Sequence, residues 1–538
     1  MTENIPIGPF FIAPLKTESS GVDFLGLRQV NLDMMDTCLP GINNFTRYVR
    51  CYSVIAWIYW KFYLIAEGMG IDQPSASQLE NFKDKTELLF TWGHHGLSLS
   101  GIPGISTLPP ATDEPVSLLF SAWKRSVDNT SLMAAPTYGP SAKNTGGLGF
   151  IAPVSGVFYK VCGNGIRLAE ALDELLSKQK NYALLKQIEP ASGDENDAKE
   201  LFPAWNVKTP SPAEQKAFEH SFYDPKKIGT KTKIGQRSAT VNLILQLLEN
   251  ADNSLTASEL RVAMAYGKLK HKEPLPLPYH IELARLRWLT LQIRQAQRLA
   301  MESLFSWTEW RIMSFSEQIT DEIVTSALDT IKGSREIFPF ADTTNQIRSS
   351  MFGDLNNLSD LIAMAKENRM YCIFELTQLL LEQLGSQGKL VVSYAMRILF
   401  LCCNYVEVLK QNDDIKPLLA HGRAERISLL HWHNMLVKWG DRSFDEFFRY
   451  ILENLILSQH FGVAASRFDG NGQRLRIAIE EEGLVPMVPS PLKPFIGEDR
   501  LSMALYLMAD CGLISSFDKG EKFHISAPSS RLCTKSHP

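Results

Sequence analysis

Apolar residues recur at three- and four-residue steps through most of the chain, the spacing of helices with a buried face. Phe45, Val49, Tyr52, Ala56, Tyr59 and Tyr63 mark one such face, and Asn43 and Asn44, after the turn Leu39-Pro40-Gly41, stand where a helix cap is expected. Ser238 predicts a helix start with Val241, Ile244 and Leu248 on one side, and Thr256-x-x-Glu259 has the spacing of a capping box ahead of a helix ending at Gly267. After Pro274, Pro276 and Pro278 a long helix is predicted from about His280 to Ser314. From there to Gln459 the pattern is helix after helix, with a second capping-box spacing at Ser443-x-x-Glu446.

Three short passages change to a period of two. Thr145 to Leu176 reads as strand, turn at Ser155-Gly156, strand, then a helix opened by Gly163-Asn164-Gly165. VAASRFDGNGQRLRIAIEEEG predicts a hairpin with its tip at DGNG and a return strand in which Leu475, Ile477 and Ile479 alternate with Arg474 and Arg476. CGLISSFDKGEKFHIS, after a helix over Asp499 to Asp510, is the third. The predicted fold class is mainly α: a multi-domain helical protein with several winged-helix-like modules carrying short β-hairpins. The expected parts are a helical N-terminal domain over 22–180 ending in a hairpin, a linker with a basic arm over 181–235, a helix-turn-helix-like module over 236–275, a helical middle domain over 280–459 and a C-terminal winged-helix-like module over 460–530. The modules share an outline, not residues, so no exact repeat is present.

A length of 538 residues exceeds one ordinary core, and 45% hydrophobic with 21% charged residues excludes wholesale disorder. A net charge of -4 excludes bulk attraction to nucleic acid or anionic lipid, so any such binding needs a local patch. Eight cysteines, none spaced C-x-x-C and most in apolar surroundings, are expected to be reduced thiols. The opening MTENIPIGPFFIAPLKTESS lacks a basic leader region, and the apolar run from Cys51 to Ala66 contains Lys61 and is shorter than the ~20 residues a bilayer requires. A cytoplasmic protein with no membrane span is expected.

Catalytic signatures fail on inspection. Gly139–Gly149 is glycine-rich without the lysine order of a phosphate loop, and in Gly385-Ser-Gln-Gly388-Lys389-Leu390 a leucine stands where magnesium needs a hydroxyl. His94-His95 falls in a predicted flexible loop, and His431 and His433, two apart in a helix, do not face one ligand. The segment from Asp469 to Glu480 approaches a calcium loop but has Arg474 where the turn glycine belongs. No catalytic residue, metal site or cofactor is assigned. The local signal is basic. Lys226, Lys227, Lys231, Lys233 and Arg237 lie in the acid-free run KKIGTKTKIGQR, read as an arm able to follow phosphates or as a solvated linker. On the long helix Arg287, Arg294 and Arg298 share a face, read as phosphate contacts or as a solvated, salt-bridged face with Glu302.

The phrases LPGINNFTRYVRCYSVIAWIYW, LARLRWLTLQIRQAQRLAMESLFSW and ENLILSQHFGVAASRF resemble large helical proteins of bacterial defence loci, specifically the B component of Druantia-type antiphage systems. The likeness spans most of the chain and is one of general pattern. It implies a role in resisting phage infection beside other defence proteins, a large helicase among them, and carries no activity or functional residues to transfer. Together with the hairpin modules, the basic run and the missing catalytic signatures, the expectation is a non-catalytic scaffold or adaptor contacting DNA or partner subunits. A nuclease with a site assembled from distant residues, and a transcriptional regulator, stay open as alternatives.

Overall fold

A computed structural model describes residues 16–17, 23–108, 114–123, 125–316, 318–353, 355, 357–386, 388–468 and 472–525. The chain is mainly α, with a few short antiparallel hairpins. It divides into two compact units, each drawn from separated stretches of sequence. One comprises residues up to Met34 with Leu289–Gly497, the other Met35–Trp288 with Glu498 onward; the long helix Tyr279–Phe315 contributes residues to each.

In the first unit the apolar helix Val391–Leu409 packs against the helices Ile373–Gly385 and Leu429–Lys438. Among the described residues it is the helix long and apolar enough to cross a membrane, yet 83% of its apolar window is buried inside the protein. Phe338, Phe400 and Phe444 form an aromatic cluster beside it, with ring centroids 5.1–6.4 Å apart. The hairpin of this unit is Ile477–Glu480 with Gly483–Pro486, so its turn falls at Glu481-Glu482 rather than at DGNG. The expected first strand through Val463 and Ala464 is instead part of the helix Ser458–Ser466, and Asp469–Asn471 lies outside the described residues. Arg476 explains the shift: its guanidinium is buried, 2.6 Å from Glu309 and donating to the Ser490 carbonyl. That anchorage holds the start of the strand inward. At Ser443 the side chain makes no cap bond, so the second capping-box spacing is not used as one.

The second unit is built around the helix Val49–Gly68. The sequence pattern marks one apolar face, but Val54, Ile55, Trp57 and Ile58 on other faces are buried too, as expected for a helix at the centre of a core. Trp57 Nε1, on this helix, donates to Asp173 at 2.9 Å. The hairpin Ile151–Ser155 and Phe158–Val161 and the helix Asn164–Leu176 stand as expected. Residues 181–235 hold two helices, Glu195–Trp205 and Pro212–Phe222, each opened by a capping box, at Asp194 with Asp197 and at Ser211 with Glu214. They bury Leu201, Trp205, Phe218 and Phe222, so this stretch is core-forming rather than a linker.

The remaining elements of this unit come from two places in the sequence. Helix α1 (Lys233–Glu249), strand β1 (Leu255–Thr256) and helix α2 (Ala257–Tyr266) are contiguous. Helix α3 (Leu501–Asp510), β2 (Ile514–Phe517) and β3 (Lys522–Ile525) follow far downstream. β3 pairs with β2, Ile514 opposite Ile525, and also with β1, Lys522 opposite Thr256 and Phe523 opposite Leu255. The sheet order is therefore β2-β3-β1, antiparallel throughout. Both segments contribute apolar side chains to the interior: Ile244, Leu248, Leu260 and Met264 from the first, and Leu505, Met508 and Phe523 from the second, are all buried.

Candidate functional site

The basic run is ordered, not a loose arm. Pro225–Lys227 forms a single helical turn, and Thr232 caps α1 by accepting the Gly235 N–H, which starts the helix before the expected cap at Ser238. Ser238 lies inside α1, where its hydroxyl accepts the Asp224 N–H at 2.9 Å. Lys226, Lys227, Lys231 and Lys233 are exposed, and none pairs with a carboxylate among the described residues; Lys233 Nζ reaches the Gly146 carbonyl at 3.4 Å.

Arg237 departs from them. It is 2% exposed and donates to the carbonyls of Phe222, Pro40 and Ser221 at 2.6–2.7 Å. A guanidinium with its donors spent on three backbone carbonyls in a dry site is a structural tie, and it is not available to a phosphate. The arginines of the long helix are corrected in the same way. Arg294 is fully buried and donates to the carbonyls of Ile427, Arg426 and Leu27 and to Gln297. Arg298 is buried and paired with Glu302 at 2.7 Å. Arg287 is half-buried. Composition alone made these residues alike; burial separates them.

His94, expected in a flexible loop, is fully buried at the end of the helix Ala76–Gly93. Its Nδ1 lies 2.7 Å from the Phe90 carbonyl and its Nε2 accepts the Val207 N–H at 3.1 Å. Burial pushes its pKa down to about 4, so the ring is neutral. Among the described residues no three His, Cys, Asp or Glu side chains converge as metal ligands, and the seven described cysteines are free thiols.

A polar groove of about 690 Å³ opens beside α3 and the β2–β3 hairpin. Arg47, Ser100, Lys208, Tyr506, Asp510 and Phe517 line it. The Arg47 guanidinium lies 3.9 Å from the centre of the Tyr506 ring and donates to Ser100 Oγ at 2.6 Å. Lys208 Nζ lies 5.2 Å from the centre of the Tyr48 ring. Neither cation pairs with a carboxylate among the described residues, and desolvation together with Arg47 lowers the Lys208 pKa. Asp510 accepts the Val49 N–H at 2.6 Å, and burial pushes its carboxyl up to about 7 against the pull of that bond and of Arg50 and Lys208. No residue of α3 is exposed, and α3 contains no Lys or Arg.

No protein-family model, curated protein or solved structure matches this chain. The groove residues escaped sequence reasoning because Arg47, Lys208 and Tyr506 belong to segments with no local signal in common. The exposed lysines were legible, since four cations in an acid-free run are a property of sequence alone.

Proposed function

We propose that this protein is a non-catalytic adaptor of a bacterial antiphage defence system, contacting DNA and partner proteins, a large helicase among them. The observation that carries the contact module is the pairing of β3 with β1. It completes a helix, strand, helix, helix and hairpin in the order of a winged helix, assembled from residues on either side of a long insertion. The exposed lysines at 226, 227 and 231, just ahead of its first helix, and Lys233 at the start of that helix supply the cationic surface that sequence-independent DNA binding needs. The defence role rests on the resemblance to Druantia-type B components.

Filter binding of duplex DNA tests the contact, comparing wild type with a variant carrying alanine at all four lysines. Weaker binding and a shallower salt dependence in the variant are expected; equal affinity and equal slope would remove the basic turn from the reading. Phage plaquing on cells with and without this gene in its locus tests the role, and unchanged plaquing would count against it.

A further inference from the structure

A winged helix ordinarily reads duplex DNA by laying its third helix in the major groove, about 12 Å wide. Here α3 has no exposed residue and no basic side chain. Asp510 at its end is tied to the Val49 N–H, Gln215 Nε2 donates to the Asp510 carbonyl at 3.0 Å, and Tyr506 is covered by Arg47. The helix presents no exposed residue to a duplex. What remains is the polar groove, lined by Arg47 and Lys208 and by Phe517, half-exposed at the end of β2.

We infer that this groove binds unpaired nucleic acid, one backbone phosphate lying between Arg47 and Lys208 and an adjoining base against Phe517. Three features support that occupant. Two cations held near each other, with no carboxylate pairing either among the described residues, gain most from an anion. An aromatic side chain beside a cationic track is the recurring device for single strands, because every base has a π-face. The Ser98 and Ser100 hydroxyls along the same groove supply further donors. Two carboxylates line the groove as well: Asp510, whose raised pKa keeps it largely protonated below neutral pH, and Asp518, which is paired with Lys522 at 2.9 Å, and both features limit repulsion of a phosphate.

This rests on the DNA-contacting reading above, and the experiment separates the two. Fluorescence anisotropy would follow a labelled oligothymidylate and a blunt duplex of equal length on the full chain. Lys208→Glu and Phe517→Ala, both at exposed positions, spare the core. Each is expected to weaken the oligothymidylate by about tenfold while leaving the duplex unchanged, and Lys208→Glu should also lower the single-strand salt slope by about 0.7. The four-lysine variant is expected to do the reverse. Oligothymidylate bound equally well by both groove variants and wild type would overturn the groove proposal, whatever the duplex does. Duplex binding left unchanged in the four-lysine variant would tell only against the basic turn. Competition by thymidine monophosphate as strong as by the oligonucleotide would overturn a strand as the occupant.

Discussion

Arg261 of α2 donates through Nε to Asp499, just ahead of α3, at 2.6 Å, and its Nη2 donates to the second carboxylate oxygen at 3.2 Å. Asp499 is 1% exposed, and it also accepts the Leu501 N–H at 3.2 Å. One ion pair thus joins the two separated segments of the small sheet-bearing module at the point where the second segment begins its helix.

Breaking that pair should loosen the module selectively. Asp499→Ala is expected to destabilise the protein by about 2–3 kcal/mol, below the full range for a buried pair because Arg261 is partly exposed. Hydrogen exchange should accelerate over β2 and β3. Unchanged protection there, with an unchanged denaturation midpoint, would mean that the sheet and its core hold the segments without the clamp.

Arg237 should behave as a core residue. Arg237→Ala leaves the carbonyls of Pro40, Ser221 and Phe222 without their donor and is expected to cost about 3 kcal/mol. Lysine should rescue poorly, since one ammonium cannot reproduce the planar fork. A variant as stable as wild type, and weaker only for DNA, would restore this residue to the interface.

Two of the buried histidines, His94 and His460, predict an acid response. Like His94, His460 sets Nδ1 against a carbonyl, that of Phe24, and accepts a backbone N–H, that of Arg476, through Nε2 at 3.0 Å. Burial lowers both to about 4. A histidine pKa depressed on folding means that the unfolded chain binds more protons below about 6.5, so this stabilisation is complete above that pH and is lost as pH falls toward 4. Asp84, Glu309 and Asp510, raised by burial, act with the opposite sign, so the measurement is a difference. His460→Gln should be less stable than wild type at pH 7 and should close the gap as pH falls to about 4.5. A gap independent of pH would contradict a neutral buried ring.

Two glycines should give opposite signs. At Gly165 an added Cβ would stand 2.3 Å from the Phe150 carbonyl oxygen, so Gly165→Ala is expected to lose about 2 kcal/mol or more. Gly462 lies exposed in the helix Ser458–Ser466 with nothing within 4 Å of that position, and Gly462→Ala should gain about 0.5–1 kcal/mol. Chemical denaturation of the two variants decides; equal effects would mean that local packing does not govern either site.

Much of the architecture was legible because it is local. Capping at Thr256 with Glu259, the end of α2 at Gly267, the hairpin before Asn164 and the long helix all follow from neighbours in sequence, whose hydrogen bonds and periodicity need no distant partner. The exposed lysines were legible for the same reason. The Arg298–Glu302 pair was legible too, but the burial of Arg237, Arg294 and Arg298 was not, since identical side chains on similar helices differ only in what packs over them. Nor was the groove, whose cations and aromatics meet only after folding. By itself the sequence determined many of the helices, the hairpin at 151–161 and where uncompensated charge accumulates, but not the helices at 195–222 or the placing of the hairpin at 477–486. Only the tertiary structure decided that β3 completes a sheet begun at β1 and which arginines are dry, because strand pairing and burial depend on contacts between residues that the chain order keeps far apart.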